Sequence, residues 1–264
     1  MDQNERRRTL IRYLLDEGHW RNTIPDDETE QERLLRGLMN VRPAAPADEA
    51  FLATQDAYLR EALAERGTVS LAEMEELQPG LYLWRGDITR IRCGAIVNAA
   101  NSGMTGCYRP CHDCIDNIIH SKSGIQLRLR CHHIIQQQGH EEPTGQAKIT
   151  PAYNLPCDWV LHTVGPIVDG ELTAEHERLL ASCYRSCLQL AAENGIASIA
   201  FCCISTGVFM FPNEKAARIA VQTVKDWKAG TGSGMRVIFN VYKEQDERLY
   251  RALLADRAAE GRVG

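Results

Sequence analysis

Residues 86–101 read GDITRIRCGAIVNAAN. With the preceding LYLWR they form two short apolar, β-rich runs, LYLWRG and AIVNAA, each ending in small polar residues. Apolar runs of this length, bounded by Gly, Asp and Asn, predict buried strands. The same form recurs in DWVLHTVG, SIAFCCIS and MRVIFNVY, and helical patterns separate several of these runs, roughly at 112–130, 173–194, 213–228 and 244–260. Alternating strands and helices predict an α/β fold of three layers, a mixed but mainly parallel sheet with helices on both faces. The near-continuous apolar strands fit a sheet covered on both sides. Such sheets bind ligands beyond the carboxyl ends of their strands, so the residues after each strand are where function is sought.

Upstream the pattern is helical. Leu10, Ile11, Leu14 and Leu15 make one apolar stripe, and Leu34, Leu35, Leu38 and Met39 make another. Two prolines in VRPAAPADEA break the chain before a third helix carrying Phe51, Leu52, Leu59 and Leu63. The expected division is an N-terminal helical extension over 1–69 and the α/β domain over 70–264, with the extension read as a cap on that domain.

Composition narrows the class. The chain has 264 residues, 44% hydrophobic and 25% charged, which suits a soluble globular protein. It has no apolar run of roughly 20 residues able to cross a bilayer. The N-terminal stretch lacks the apolar core and cleavage site of a secretory signal, so a cytoplasmic location is expected. A net charge of −5 argues against broad, charge-driven nucleic-acid binding. It leaves room for a small anion held by backbone N–H groups. Most of the ten cysteines are scattered singly in apolar runs, as buried packing residues would be. In a reducing compartment a tight Cys/His cluster points to metal or catalysis rather than to disulfides.

One such cluster exists, GCYRPCHDC at 106–114. Cys107, His112 and Cys114 follow the spacing C-x4-H-x-C, which is not that of a zinc finger. Zinc accepts thiolate and imidazole in tetrahedral geometry, and three ligands from one loop leave a fourth position open. Cys111 as a fourth ligand would instead close the site into a folding staple, and Asp113 could also approach the metal. His120 is a candidate outer partner, His132 and His133 are read as helix-end residues, and His162 as a satisfied buried histidine. After the strands, Asp87 could cap its turn or accept from a ligand amino group. Asn98 and Asn101 supply carboxamides, and Ser205, Thr206 and Gly207 form a donor-rich turn before a helix starting near Pro212.

Read together, GDITRIRCGAIVNAAN, HTVGP (162–166) and ISTGVFMFP (204–212) resemble the macrodomain, an ADP-ribose-binding α/β/α fold. GCYRPCHDCIDNIIH, in place of the usual glycine-rich loop, is similar to the zinc-dependent macrodomain subfamily of microbial protein-ADP-ribose hydrolases, as is the N-terminal segment LMNVRPAAP. The resemblance implies one zinc ion per chain on Cys107, His112 and Cys114. It also implies a hydrolase that removes mono-ADP-ribose from modified protein side chains. Asp87 and Ile88 would then hold the adenine, with Tyr242 beside it. Ser205, Thr206, Gly207, Val208 and Phe209 would hold the diphosphate and distal ribose, with Ile115 and Asp116 on the other side. Asn101 would bind the distal ribose hydroxyls as the catalytic residue. The implied partners are ADP-ribose and a mono-ADP-ribosylated protein, such as a lipoyl-carrier protein modified by a sirtuin-like transferase. The alternatives are a non-catalytic ADP-ribose reader with structural zinc and an O-acetyl-ADP-ribose deacetylase.

Overall fold

A computed structural model describes residues 1–255. Three helices open the chain: α1 (Gln3–Glu17), α2 (Glu28–Val41) and α3 (Glu49–Arg66). Asp2, Asp27 and Asp48 start them, each carboxylate accepting from the N–H three residues on, which satisfies one of the orphan donors of a helix end. Two short strands, β1 (Val69–Ser70) and β2 (Glu75–Gln78), lead to β3 (Leu81–Arg85), β4 (Ile91–Arg92) and β5 (Ala95–Ala100). The helices α4 (Ile115–Ser123) and α5 (Ile125–Gln138) follow, then β6 (Ala147–Pro151) and β7 (Trp159–Val164). The rest alternates: α6 (Ala174–Glu193), β8 (Ser198–Phe201), α7 (Asn213–Thr231), β9 (Arg236–Val241) and α8 (Glu244–Ala255).

The main sheet has seven strands in the order β2-β3-β9-β8-β5-β7-β6. Its five central strands are parallel, and the edge strands β2 and β6 run antiparallel. The five predicted strands are these central ones. The edges escape the apolar-run reading because they are half-wet: β2 is exposed at Glu75 and Glu76, and β6 has one fully buried residue. The helices α6, α7 and α8 pack side by side, whereas α4 and α5 pack together with α2 on α4.

Several predicted boundaries move. The helix expected over 112–130 is two helices, because Gly124 at φ +106° ends α4 and opens α5. His112 and Asp113 therefore lie in a loop, with Cys114 as the N-cap of α4. His132 and His133 are interior to α5, which runs on to Gln138. The strand expected over SIAFCCIS stops at Phe201. Of the helix expected over 244–260, residues 244–255 are helical and 256–260 lie outside the described residues.

Two apolar clusters hold the chain together. The larger is the sheet interior with both helix layers. The smaller joins α1, α2 and α3 through Leu10, Ile11, Leu14, Leu35, Phe51 and Leu59, and takes Ile125 from α5. The N-terminal helices thus share a core with α5, the second helix after the Cys/His loop.

Candidate metal centre and ligand site

The site forms where neighbouring strands part. Between β5 and β8 the pairing covers Ala95↔Ile199 and Ile96↔Ala200, while β5 runs on to Ala100 against β7. Beyond their shared register the two chains diverge into the 101–114 loop and the 202–212 turn. A gap between diverging parallel strands is where open α/β sheets take ligands.

Asn101 follows β5. Its Nδ2 donates to Gly106 O at 3.1 Å and to Asp116 Oδ2 at 3.2 Å. Both partners only accept, so the amide orientation is fixed and both its protons are used. Its carbonyl Oδ1 is the atom left for a ligand hydroxyl. Asp116 is buried in the first turn of α4 and also accepts from Asn98 Nδ2 at 2.8 Å. Burial pushes its carboxyl up to about 6, against the hydrogen bonds from Asn98 and Asn101.

The loop between Gly106 and Asp116 carries the donors. Cys107, His112 and Cys114 are each half-buried, and their ligand atoms all lie within 4.8 Å of one another. In a tetrahedral zinc site, bonds of about 2.3 Å to sulfur and about 2.0–2.1 Å to nitrogen put those two atoms about 3.5 Å apart. Cys107 Sγ lies 3.5 Å from His112 Nδ1. Burial, with Cys107 and Asp116 alongside, pushes the Cys114 thiol up to about 11, while the Asn117 N–H acts the other way. A half-buried thiol beside a second sulfur and a carboxylate is what a cation would relieve, so donor set and spacing fit a metal ion. Cys111 stands outside this group: its Sγ turns away to Arg33 O at 3.2 Å. Asp113 is 93% exposed.

The opposite wall is the 205–209 turn. Ser205 has φ +64° and is buried. The N–H groups of Thr206, Met210 and Phe211 go to Cys203 O, Gly207 O and Ser205 O. Among the described residues no bond takes the N–H of Gly207, Val208 or Phe209, so three successive donors stay free for an anion. Ile115 and Asp116 form the N-terminal end of α4, where the helix dipole also favours negative charge. Gly165 lets the turn close, since a Cβ there would lie 2.0 Å from Ser205 Oγ.

At the far end Asp87 does cap its turn, with Oδ1 accepting from the N–H and hydroxyl of Thr89. Its Oδ2 accepts from Arg66 of α3 at 2.9 Å. Ile88 is buried beside it, and Tyr242 is 79% exposed after β9. His120 lies under the site rather than at the donors. Its Nε2 is 3.5 Å from Asp116 Oδ1, and it groups with Cys131 and His162. Sequence reading missed Arg66 and the residues of α2 and α5 that touch the loop, because nothing local marks contacts made across dozens of residues.

The chain is similar to known proteins in sequence and fold. The Macro domain profile matches residues 97–220. A protein-ADP-ribose hydrolase of Treponema medium is 59% identical over 261 residues, covering 97% of this chain and 100% of that one. One from Staphylococcus aureus (strain MSSA476) is 43% identical, covering 95% and 97%. Among solved structures, the Trypanosoma brucei macrodomain in complex with ADP-ribose superposes with a TM-score of 0.65 at 28% identity, covering 87% of this chain and 97% of that one. The Oceanobacillus iheyensis macrodomain with ADP gives 0.61 at 33%, covering 69% and 93%. With relatives this similar along almost its whole length, the chain belongs to the Macro domain family.

Proposed function

We propose that this chain is a zinc-dependent hydrolase that removes mono-ADP-ribose from modified protein side chains. The single observation that carries this reading is the joining of the Cys107/His112/Cys114 donors to Asn101 and Asp116. Asn101 bonds to Gly106, next to Cys107, and to Asp116, two residues past Cys114, so a sugar held by Asn101 adjoins the donor loop. The names of the relatives from Treponema medium and Staphylococcus aureus support the reaction class, and the macrodomain complexes with ADP and ADP-ribose support the ligand.

Asp87 and Ile88 bind the adenine end. The free N–H groups of Gly207, Val208 and Phe209 and the start of α4 hold the diphosphate. Phe209, half-buried, orients the distal ribose. Asn101 accepts from a ribose hydroxyl through Oδ1, because both its amide protons are committed. Asp116 fixes Asn101 and Asn98 from below, which limits the sugar to one orientation. Cys107, His112 and Cys114 would hold one zinc ion, which supplies Lewis acidity at an oxygen of the sugar or of water. The acceptor protein suggested by the sequence resemblance is a lipoyl carrier modified by a sirtuin-like transferase.

The test pairs zinc content of the purified chain with release of ADP-ribose from a mono-ADP-ribosylated protein, before and after chelation. Zinc near one per chain and chelator-sensitive release are expected. Full release by demonstrably metal-free protein would remove the metal from the reaction, and ADP-ribose binding without release would make the chain a reader.

A further inference from the structure

The three N-terminal helices have no part in the reaction as derived above, yet α2 lies directly on the donor loop. Arg36 Nη2 donates to His112 O at 2.8 Å and to Asn117 Oδ1 at 2.9 Å. Asn117 Nδ2 in turn donates to Cys107 O at 3.3 Å and Arg109 O at 3.0 Å. One turn further along α2, Asn40 Oδ1 accepts from the N–H of Cys111 at 2.9 Å, and its Nδ2 donates to Ser121 of α4 at 2.9 Å. Asn40 is 1% exposed. Both polar groups of Cys111 that can donate are therefore tied to α2, its N–H to Asn40 and its thiol to Arg33 O.

Cys111 is also a strained point of the loop. It sits at φ +52°, between the donors Cys107 and His112. A non-glycine residue in the left-handed region is strained and persists only where its surroundings over-determine it. Here α2 supplies that determination. From the other side, Arg128 of α5 donates to Thr105 O at 2.7 Å and to the terminal α2 carbonyls of Met39 at 3.1 Å and Asn40 at 2.8 Å. Its guanidinium lies 4.3 Å from the Tyr108 ring centroid. A cation on the last carbonyls of α2 locks that helix end to the loop it supports.

We infer that α2 of the N-terminal extension is a splint for the metal loop, with Arg36 and Asn40 as positioning residues that pre-set Cys107, His112 and Cys114 for the ion. The inference rests on the metal reading proposed above. It gives the extension a task that a mere cover would not have: removing its polar contacts loosens the ion without unfolding the domain. Outer partners of metal ligands govern ligand orientation in this way.

The experiment times transfer of zinc from the loaded, full-length chain to a chromophoric chelator, alongside thermal melts. Arg36→Met and Asn40→Ala should each release zinc about 10-fold or more faster than wild type. Arg36→Lys, which restores one donor, should recover part of the difference. The control is Arg7→Met. Arg7 is buried between α1 and α2, bonded to Gln31 and Glu28, and does not touch the loop. That variant should melt at least as early yet release zinc near the wild-type rate. Wild-type release rates from Arg36→Met and Asn40→Ala would overturn the inference while leaving the metal reading intact. Equal acceleration by Arg7→Met would overturn it too, since general loosening would then explain the effect. If wild type takes up no zinc, both fall. Arg36 is part-exposed, so its variants keep the test usable should the buried Asn40 prove indispensable for folding.

Discussion

Two triads of cysteine and histidine invite comparison. Cys107/His112/Cys114 and His120/Cys131/His162 each bring three donor atoms within 4.8 Å. The first comes from one half-buried loop, and the second from α4, α5 and β7, fully buried. In the second, the donors of His162 are committed: Nδ1 faces Asn98 Nδ2 at 3.2 Å and Nε2 faces Thr150 Oγ1 at 2.9 Å. Burial there pushes the Cys131 thiol far up and the His162 imidazole down to about 3. Both ring nitrogens of His162 are thus spent on neighbours, and all three residues of this triad are buried. Proximity of donors is therefore insufficient; they must also be free of other partners and open to an arriving ion. The loop triad is half-buried on a single loop, and the buried triad packs the sheet against α4 and α5.

The sharpest way to break the contrast is to remove a donor from the loop. Cys107→Ala, His112→Ala or Cys114→Ala should cut de-ADP-ribosylation by about 100-fold or more, with little change in melting temperature. An early melt with normal specific activity would make the loop a folding staple instead. Asn101→Ala comes next. Turnover should fall by about 10- to 100-fold while ADP-ribose affinity, measured by calorimetry, changes much less. Equal loss of affinity with unchanged turnover would reduce Asn101 to a binding residue.

In the buried triad the effects should be on stability alone. His162→Ala strands Asn98 and Thr150 and leaves a cavity, so a loss of about 2–4 kcal/mol in denaturant unfolding is expected, with zinc content unchanged. The pH dependence has a definite sign. Free histidine titrates near 6.5, and in the fold His162 stays neutral down to about 3. Its contribution is full above pH 6.5 and is lost as pH falls through that window, because only the unfolded chain takes up the proton. His120, also held neutral by burial, acts in the same sense, and Asp116, raised to about 6, acts oppositely. The His162→Asn variant should therefore show a shallower fall in unfolding free energy between pH 6.5 and 4 than wild type. The smallest effect is expected at Asp113, whose contact with Arg36 is 3.8 Å long and open to water. Asp113→Asn should leave zinc content and melting temperature at wild-type values, and a drop in turnover would mark it as a base.

The five central strands, the helices between them and the C-x4-H-x-C donors are legible in the sequence because each is a local pattern. An apolar run flanked by turn residues has few ways to be buried, and donors within eight residues stay close whatever the fold. The edge strands β2 and β6 carry no such run and take their partners from the sheet. The break at Gly124 could have been read from the glycine itself, inside a pattern otherwise continuous from α4 to α5.

What the chain order could not contain is which lone pairs are already spent. His112 and His162 are both histidines near cysteines in sequence or space, yet only the tertiary structure commits the ring of one to Asn98 and Thr150. Cys111 sits amid the donors, and only the contact with α2, reached from residues 33–40, turns its thiol away. Composition and spacing determined the fold class and the candidate ion, since those depend on short-range sterics and donor chemistry. Burial and long-range hydrogen bonding decided which of the like-looking residues are free to act, because desolvation and partner choice exist only once distant segments meet.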